Sequence, residues 1–139
     1  MSIKEIQEEI VDEFSMFDDW EERYQYVIDL GNSLPLVEEQ YKTEENIIKG
    51  CQSKVWLHGE QKDGIVVFTA DSDAILTKGI IAILIRVFSN QSPAAILEAD
   101  TAFIDEIGLK EHLSPTRANG LVSMIKQIKM YALAFQAKN

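Results

Sequence analysis

The chain has 139 residues, of which 46% are hydrophobic and 26% charged, with only 3 prolines and 7 glycines; this suits one folded domain, residues 1–139, and excludes a disordered or low-complexity chain. The formal net charge of −10, from 13 basic against 23 acidic residues, argues against nucleic acid or an anionic membrane surface as a partner. One cysteine rules out an intrachain disulfide, and the charged start MSIKEIQEEIVDEF is unlike a secretory signal, so the expected location is the cytoplasm.

The acidity is uneven. Residues 1–45 hold 14 acidic and 3 basic residues, and the remainder holds 9 acidic and 10 basic. Two solvated helix faces account for this, as would a docking surface for a basic partner.

Ser2 followed by Glu5 forms a capping-box pattern, and Ile3, Ile6, Ile10 and Phe14 recur at helical spacing, which predicts a first helix to about Met16. Asp18 and Asp19 suit the N-cap of a second helix, with Trp20, Tyr24, Val27 and Ile28 as its apolar stripe and Gly31 as its C-terminal cap. NSLPLVEEQYKTEEN then reads as an extended acidic loop.

Ser53–Glu60 and Ile65–Ala70 are rich in Val, Ile, Phe and Trp, and Asp63-Gly64 between them signals a two-residue hairpin turn. Ile47-Ile48 is a candidate short third strand. Asp71, Ser72 and Asp73 offer three cap-competent residues ahead of Ala74–Phe88, a segment apolar nearly all round, as a buried helix is. Its most apolar part, GIIAILIRVF, is too short for a bilayer, which takes roughly 20 residues. Ser92-Pro93 and Ser114-Pro115 each place serine at an N-cap and proline at the first helical position. The last helix is long, with Leu121, Ile125, Ile128, Ala132 and Phe135 on its buried face. The sum is an α+β fold in which a small antiparallel sheet packs against several helices.

Metal chemistry has little to work with. Cys51, His58 and His112 show no paired ligand spacing, whereas a structural zinc takes about four ligands and a catalytic zinc about three. No phosphate-binding glycine pattern occurs, and the carboxylates are spread over helix faces. Cys51 remains. It follows Gly50, which permits a positive φ and leaves room for an approaching molecule, and Lys49 and Lys54 nearby would favour a thiolate. A cysteine hydrolase would need His58 or His112 as base, and an inert buried thiol would need nothing. A thiolate that accepts sulfur from a persulfide needs one exposable cysteine.

Four blocks, WEERYQYVIDLGNSLP (Trp20 to Pro35), IIKGCQSKVW (Ile47 to Trp56), DSDAILTKGIIAIL (Asp71 to Leu84) and HLSPTRANGL (His112 to Leu121), resemble the SufE sulfur-acceptor family in order and spacing. The resemblance implies a SufE/NifU-like fold and an accessory role in iron–sulfur cluster assembly. In that role Cys51 accepts persulfide sulfur from a SufS-like cysteine desulfurase, stimulates that enzyme, and passes the sulfur to a SufBCD-like scaffold complex. It also implies a Cys51 loop tucked against the fold until the desulfurase engages, no independent turnover, and no cofactor on this chain, the pyridoxal phosphate belonging to the desulfurase. Asp73, Lys78, Arg117 and Gly120 lie in the matching blocks, with Asp73 and Arg117 as candidate supporting residues that could pair or steady the cysteine loop. The rival reading is an iron–sulfur or metal-binding scaffold of NifU-like type.

Overall fold

The computed structural model describes residues 1–138 and is an α+β fold: a two-stranded antiparallel sheet, β1 (Val55–Lys62) and β2 (Ile65–Ser72), surrounded by helices. Asp63 (φ 52°) and Gly64 (φ 82°) both take left-handed backbone, as a primed hairpin turn demands. Pairing then runs from Lys62 opposite Ile65 to Val55 opposite Ser72. Side chains alternate along each strand, so Val55, Leu57, Val66, Phe68 and Ala70 face the core while their neighbours lie half open.

A lone hairpin is marginal in water, so this one depends on what covers it. The covering element is α3 (Ile75–Phe88), buried from Ile80 through Ile85 and again at Val87 and Phe88. α1 (Ile3–Phe14) and α2 (Trp20–Leu30) pack on α3 from its other sides. After α3 come three short helices, α4 (Pro93–Glu98), α5 (Ala102–Glu106) and α6 (Leu109–His112). The long α7 (Pro115–Lys138) closes over β1 and α3 and buries Leu121, Met124, Ile128 and Ala132, with Ile125 and Phe135 half-buried beside them.

The local signals behave as their chemistry requires. Ser2 and Glu5 form the capping box of α1, Asp19 accepts from the Glu22 amide at 2.8 Å, and Ser92 and Ser114 accept from the amides of Ala95 and Arg117.

Gly31 is the C-cap of α2, as expected, in right-handed backbone (φ −60°), and it also permits close approach: a Cβ there would lie 3.1 Å from the Gly79 amide nitrogen. Two expectations change. Ile47 makes a single antiparallel bridge to Trp56, and no third strand develops, because the segment before it coils into short 3-10 turns at Gly31–Ser33, Glu39–Tyr41 and Glu44–Asn46. Finally, α3 has Ala74 as its N-cap and no side-chain cap, since β2 continues through Ser72 and the acidic residues on either side of Ser72 are engaged elsewhere. Asp71 binds Lys42 (2.7 Å) and Asp73 accepts from the Lys54 amide (3.0 Å).

Arg86 of α3 ties α1 down, reaching Glu9 at 2.6 Å and Glu13 at 2.5 Å, while the Tyr26 hydroxyl donates to Glu13. Arg86 holds the Glu13 carboxyl below its ordinary 4.5, and burial, with Glu13 as second cause, pushes Tyr26 up to about 12. A carboxyl acidified by folding binds protons more weakly in the native state than in the unfolded chain. Its stabilisation is therefore complete above the ordinary carboxyl range and drains away as pH falls through the native value. Glu13→Gln is expected to lower the urea midpoint at pH 7 and to flatten its decline between about pH 5 and pH 3.

Candidate functional site

Cys51 sits between the 3-10 turn at Glu44–Asn46 and β1, on a loop pressed against α7. Gly50 turns the chain with φ 95°, a conformation L side chains rarely adopt. That turn lays the half-buried thiol on Gly120, close enough that a Cβ at Gly120 would stand 3.4 Å from Cys51 Sγ, in van der Waals contact. The Sγ–H donates to the Gly120 carbonyl at 3.6 Å. Only a protonated sulfur can make that bond.

Burial alone pushes the Cys51 thiol up, so the flanking lysines do not acidify it in this position. Lys49 and Lys54 are exposed and direct their charge to solvent. The thiol at rest is therefore protonated and weakly nucleophilic, and lifting the loop into water removes the burial penalty. The space beside Sγ is about 10 Å³, bounded by Thr77, Ile80, Thr116, Arg117 and Met124. It barely reaches the minimum for one water, and a sulfur atom is larger. A second sulfur on Cys51 thus requires the loop to lift or the flexible Met124 to repack.

The two supporting candidates occupy different places. Asp73 is exposed and clasps the far end of the loop, accepting from the Lys54 amide while its own amide donates to the Lys54 carbonyl (3.2 Å). Arg117 is exposed in the first turn of α7 and walls the thiol pocket. Among the described residues no salt bridge joins them, so each contacts the loop region separately. Lys78 pairs with Asp71 at 3.6 Å.

Neither histidine borders the thiol. His58 stacks on Tyr41 (3.8 Å between centroids) and binds Glu60, and His112 stacks on Trp20 (4.0 Å) and binds the Gly108 carbonyl. The base a cysteine hydrolase needs is missing from both positions. Among the described residues no three His, Cys, Asp or Glu side chains converge as a metal site requires.

Thr77, Thr116, Ser123 and Met124 were not visible as site residues in the sequence. The three on α7 have one signal, helical spacing, since Thr116, Gly120 and Met124 recur four apart and Ser123 lies three after Gly120, on the face that meets the loop; Thr77, on α3, has none. Ser123 is the support under Gly50: a Cβ at Gly50 would lie 2.5 Å from Ser123 Oγ. The Ser123 hydroxyl can rotate aside, so Gly50→Ala carries chiefly the strain of its positive φ, and is expected to loosen the loop and speed Cys51 alkylation by iodoacetamide at pH 7 by a few-fold. A rate equal to wild type would mean that the loop does not rest on α7 in solution.

Residues 8–132 match the family model described as SufE: Fe-S metabolism associated domain. A SufE-like protein of Rhizobium meliloti (strain 1021) is 44% identical over 130 residues, covering 90% of this chain and 93% of that one. A SufE-like protein of Rhizobium etli is 44% identical over 128 residues, covering 88% and 86%. The solution structure of a hypothetical protein from Thermus thermophilus superposes with a TM-score of 0.77 over 93% of this chain and 94% of that chain; at 21% identity it shows a shared fold. The chain belongs to the SufE family, whose domain is associated with iron–sulfur metabolism.

Proposed function

We propose that this protein is a sulfur acceptor: Cys51 takes sulfane sulfur from the persulfide of a cysteine desulfurase, stimulates that enzyme by relieving it of product, and delivers the sulfur to an iron–sulfur scaffold complex. The observation that carries this reading is the lone thiol on a glycine-hinged loop, capped by Gly120 and protonated at rest, in a chain of the SufE family. Such a thiol is sheltered when idle and reactive once exposed.

The step balances without an outside oxidant or reductant. As the loop lifts, the Cys51 proton passes to water, and the thiolate attacks the outer sulfur of the donor's persulfide. One sulfur–sulfur bond forms on Cys51 as the donor's own sulfur–sulfur bond breaks, and the donor cysteine leaves as a thiolate. Pyridoxal phosphate serves the earlier cleavage of free cysteine on the donor, and this chain works without a cofactor of its own, in the cytoplasm.

Incubation with a purified cysteine desulfurase and cysteine tests the reading by intact mass. The expected product gains one sulfur atom that reductant removes, and peptide mapping places it on Cys51. A mass that never changes, under conditions where the desulfurase turns over, would overturn the proposal.

A further inference from the structure

Beside the thiol loop, the segment 45–49, β1 and α7 enclose a groove of about 340 Å³ with Ile47, Leu57, Met130 and Tyr131 in its lining. Lys49 and Lys126 also line it, both exposed, together with one carboxylate, Glu45. Arg117 lines the thiol pocket and Lys54 ends the thiol loop, and none of these four cations is ion-paired among the described residues. Against them stand Glu45 and the loop-clasping Asp73. In a chain of net charge −10, the surroundings of the thiol are a local reversal of sign.

The groove continues onto an apolar helix face. Val122 (47% exposed), Met130 (53%) and Leu133 (58%) follow one another along α7 at helical spacing, with Lys126 midway between the first two. Large apolar side chains left open on one helix face next to a concavity mark a protein partner, and an adaptable methionine suits such a contact.

We propose that this groove is where the persulfide donor docks, through a segment in which carboxylates flank an apolar anchor; the assignment rests on the sulfur-acceptor reading. The anchor seats on Met130 and Ile47 while its carboxylates meet Lys49 and Lys126. The donor is favoured over the scaffold because a donor must reach the thiol from its capped position against Gly120. Ser123 lines the groove and also lies beside Gly50, so the groove borders the loop that carries Cys51. The acidic N-terminal third repels the same segment, which orients the encounter toward the thiol.

Binding to a purified cysteine desulfurase, measured by titration without cysteine so that no sulfur moves, tests the assignment. Lys49→Glu combined with Lys126→Glu is compared with Lys62→Glu combined with Lys110→Glu, which imposes the same charge change on two exposed lysines outside the groove. The groove pair is expected to weaken Kd by about tenfold or more and to flatten its dependence on salt, while the outer pair stays within about twofold. Lys126→Glu alone, on α7 and not in the loop, is expected to give a part of the loss with an unchanged rate of Cys51 alkylation. Equal effects of the two pairs would overturn the groove. Wild-type protein that binds without loading overturns sulfur acceptance and leaves the docking site standing; loading with binding indifferent to groove reversal overturns the docking site alone; absence of binding overturns both.

Discussion

Cys51→Ser is expected to abolish sulfur loading entirely while leaving the fold and the affinity for the desulfurase near wild type. Serine is slightly smaller and keeps a donor, so a small inward adjustment of the loop brings its hydroxyl to the Gly120 carbonyl. What is lost is chemistry: an alcohol is not appreciably ionised near neutral pH, and the nucleophile in sulfur exchange is the anion. No second thiol can compensate, because Cys51 is the only cysteine in the chain. The measurement pairs intact mass after incubation with desulfurase and cysteine with urea unfolding of the same sample. Sulfur retained by the serine variant would place acceptance on another group, and a large fall in the urea midpoint would mean that the thiol is chiefly a packing residue. The scaffold alternative separates from both, since it predicts visible absorbance and bound iron after anaerobic reconstitution.

The largest effect on stability is expected at Gly79→Ala, far from any reactive group. A Cβ at Gly79 would lie 2.0 Å from the Val27 carbonyl oxygen and 2.7 Å from its carbon, so the collision is with the α2 backbone and no side chain can rotate away. α2 and α3 touch here, main chain to main chain, and Gly31 comes within the same contact. Overpacking a core costs about 1–3 kcal/mol and more where the backbone must shift, against about 1 kcal/mol gained from alanine's better helix propensity. A net loss of about 2 kcal/mol or more is therefore expected, a large part of a typical domain's stability. Gly64→Ala is the contrast. At Gly64 an added Cβ has nothing within 4 Å, and only the strain of φ 82° remains, worth about 1 kcal/mol. Urea unfolding of both variants decides the matter: a Gly79→Ala midpoint as high as that of Gly64→Ala would mean that α2 does not lie on α3 as described.

Much of the architecture was legible residue by residue. Capping box, aspartate cap, Ser-Pro helix starts and the Asp63-Gly64 turn all involve partners within a few positions, so the energy that selects them is local. The apolar periodicity of α1 and α7 foretold their buried faces because burial repeats with the helix itself. Cys51 stood out for the same kind of reason, as one thiol behind a glycine.

Where residues compete for distant partners, the sequence was a poorer guide. Asp71 and Asp73 have the chemistry of helix caps, yet Lys42 and the Lys54 amide claim them. Gly31 caps α2 as its position foretold, but its second role, a close-packing surface for Gly79, depends on a distant residue. Lys49 and Lys54 flank Cys51 in sequence, and still the thiol's acidity is governed by burial against Gly120, 69 residues away. The sequence by itself thus determined most of the elements, the lone thiol and the family. Tertiary structure decided the protonation state of that thiol, its shelter and the groove beside it, because desolvation and contact depend on what lies near in space and not on what lies near along the chain.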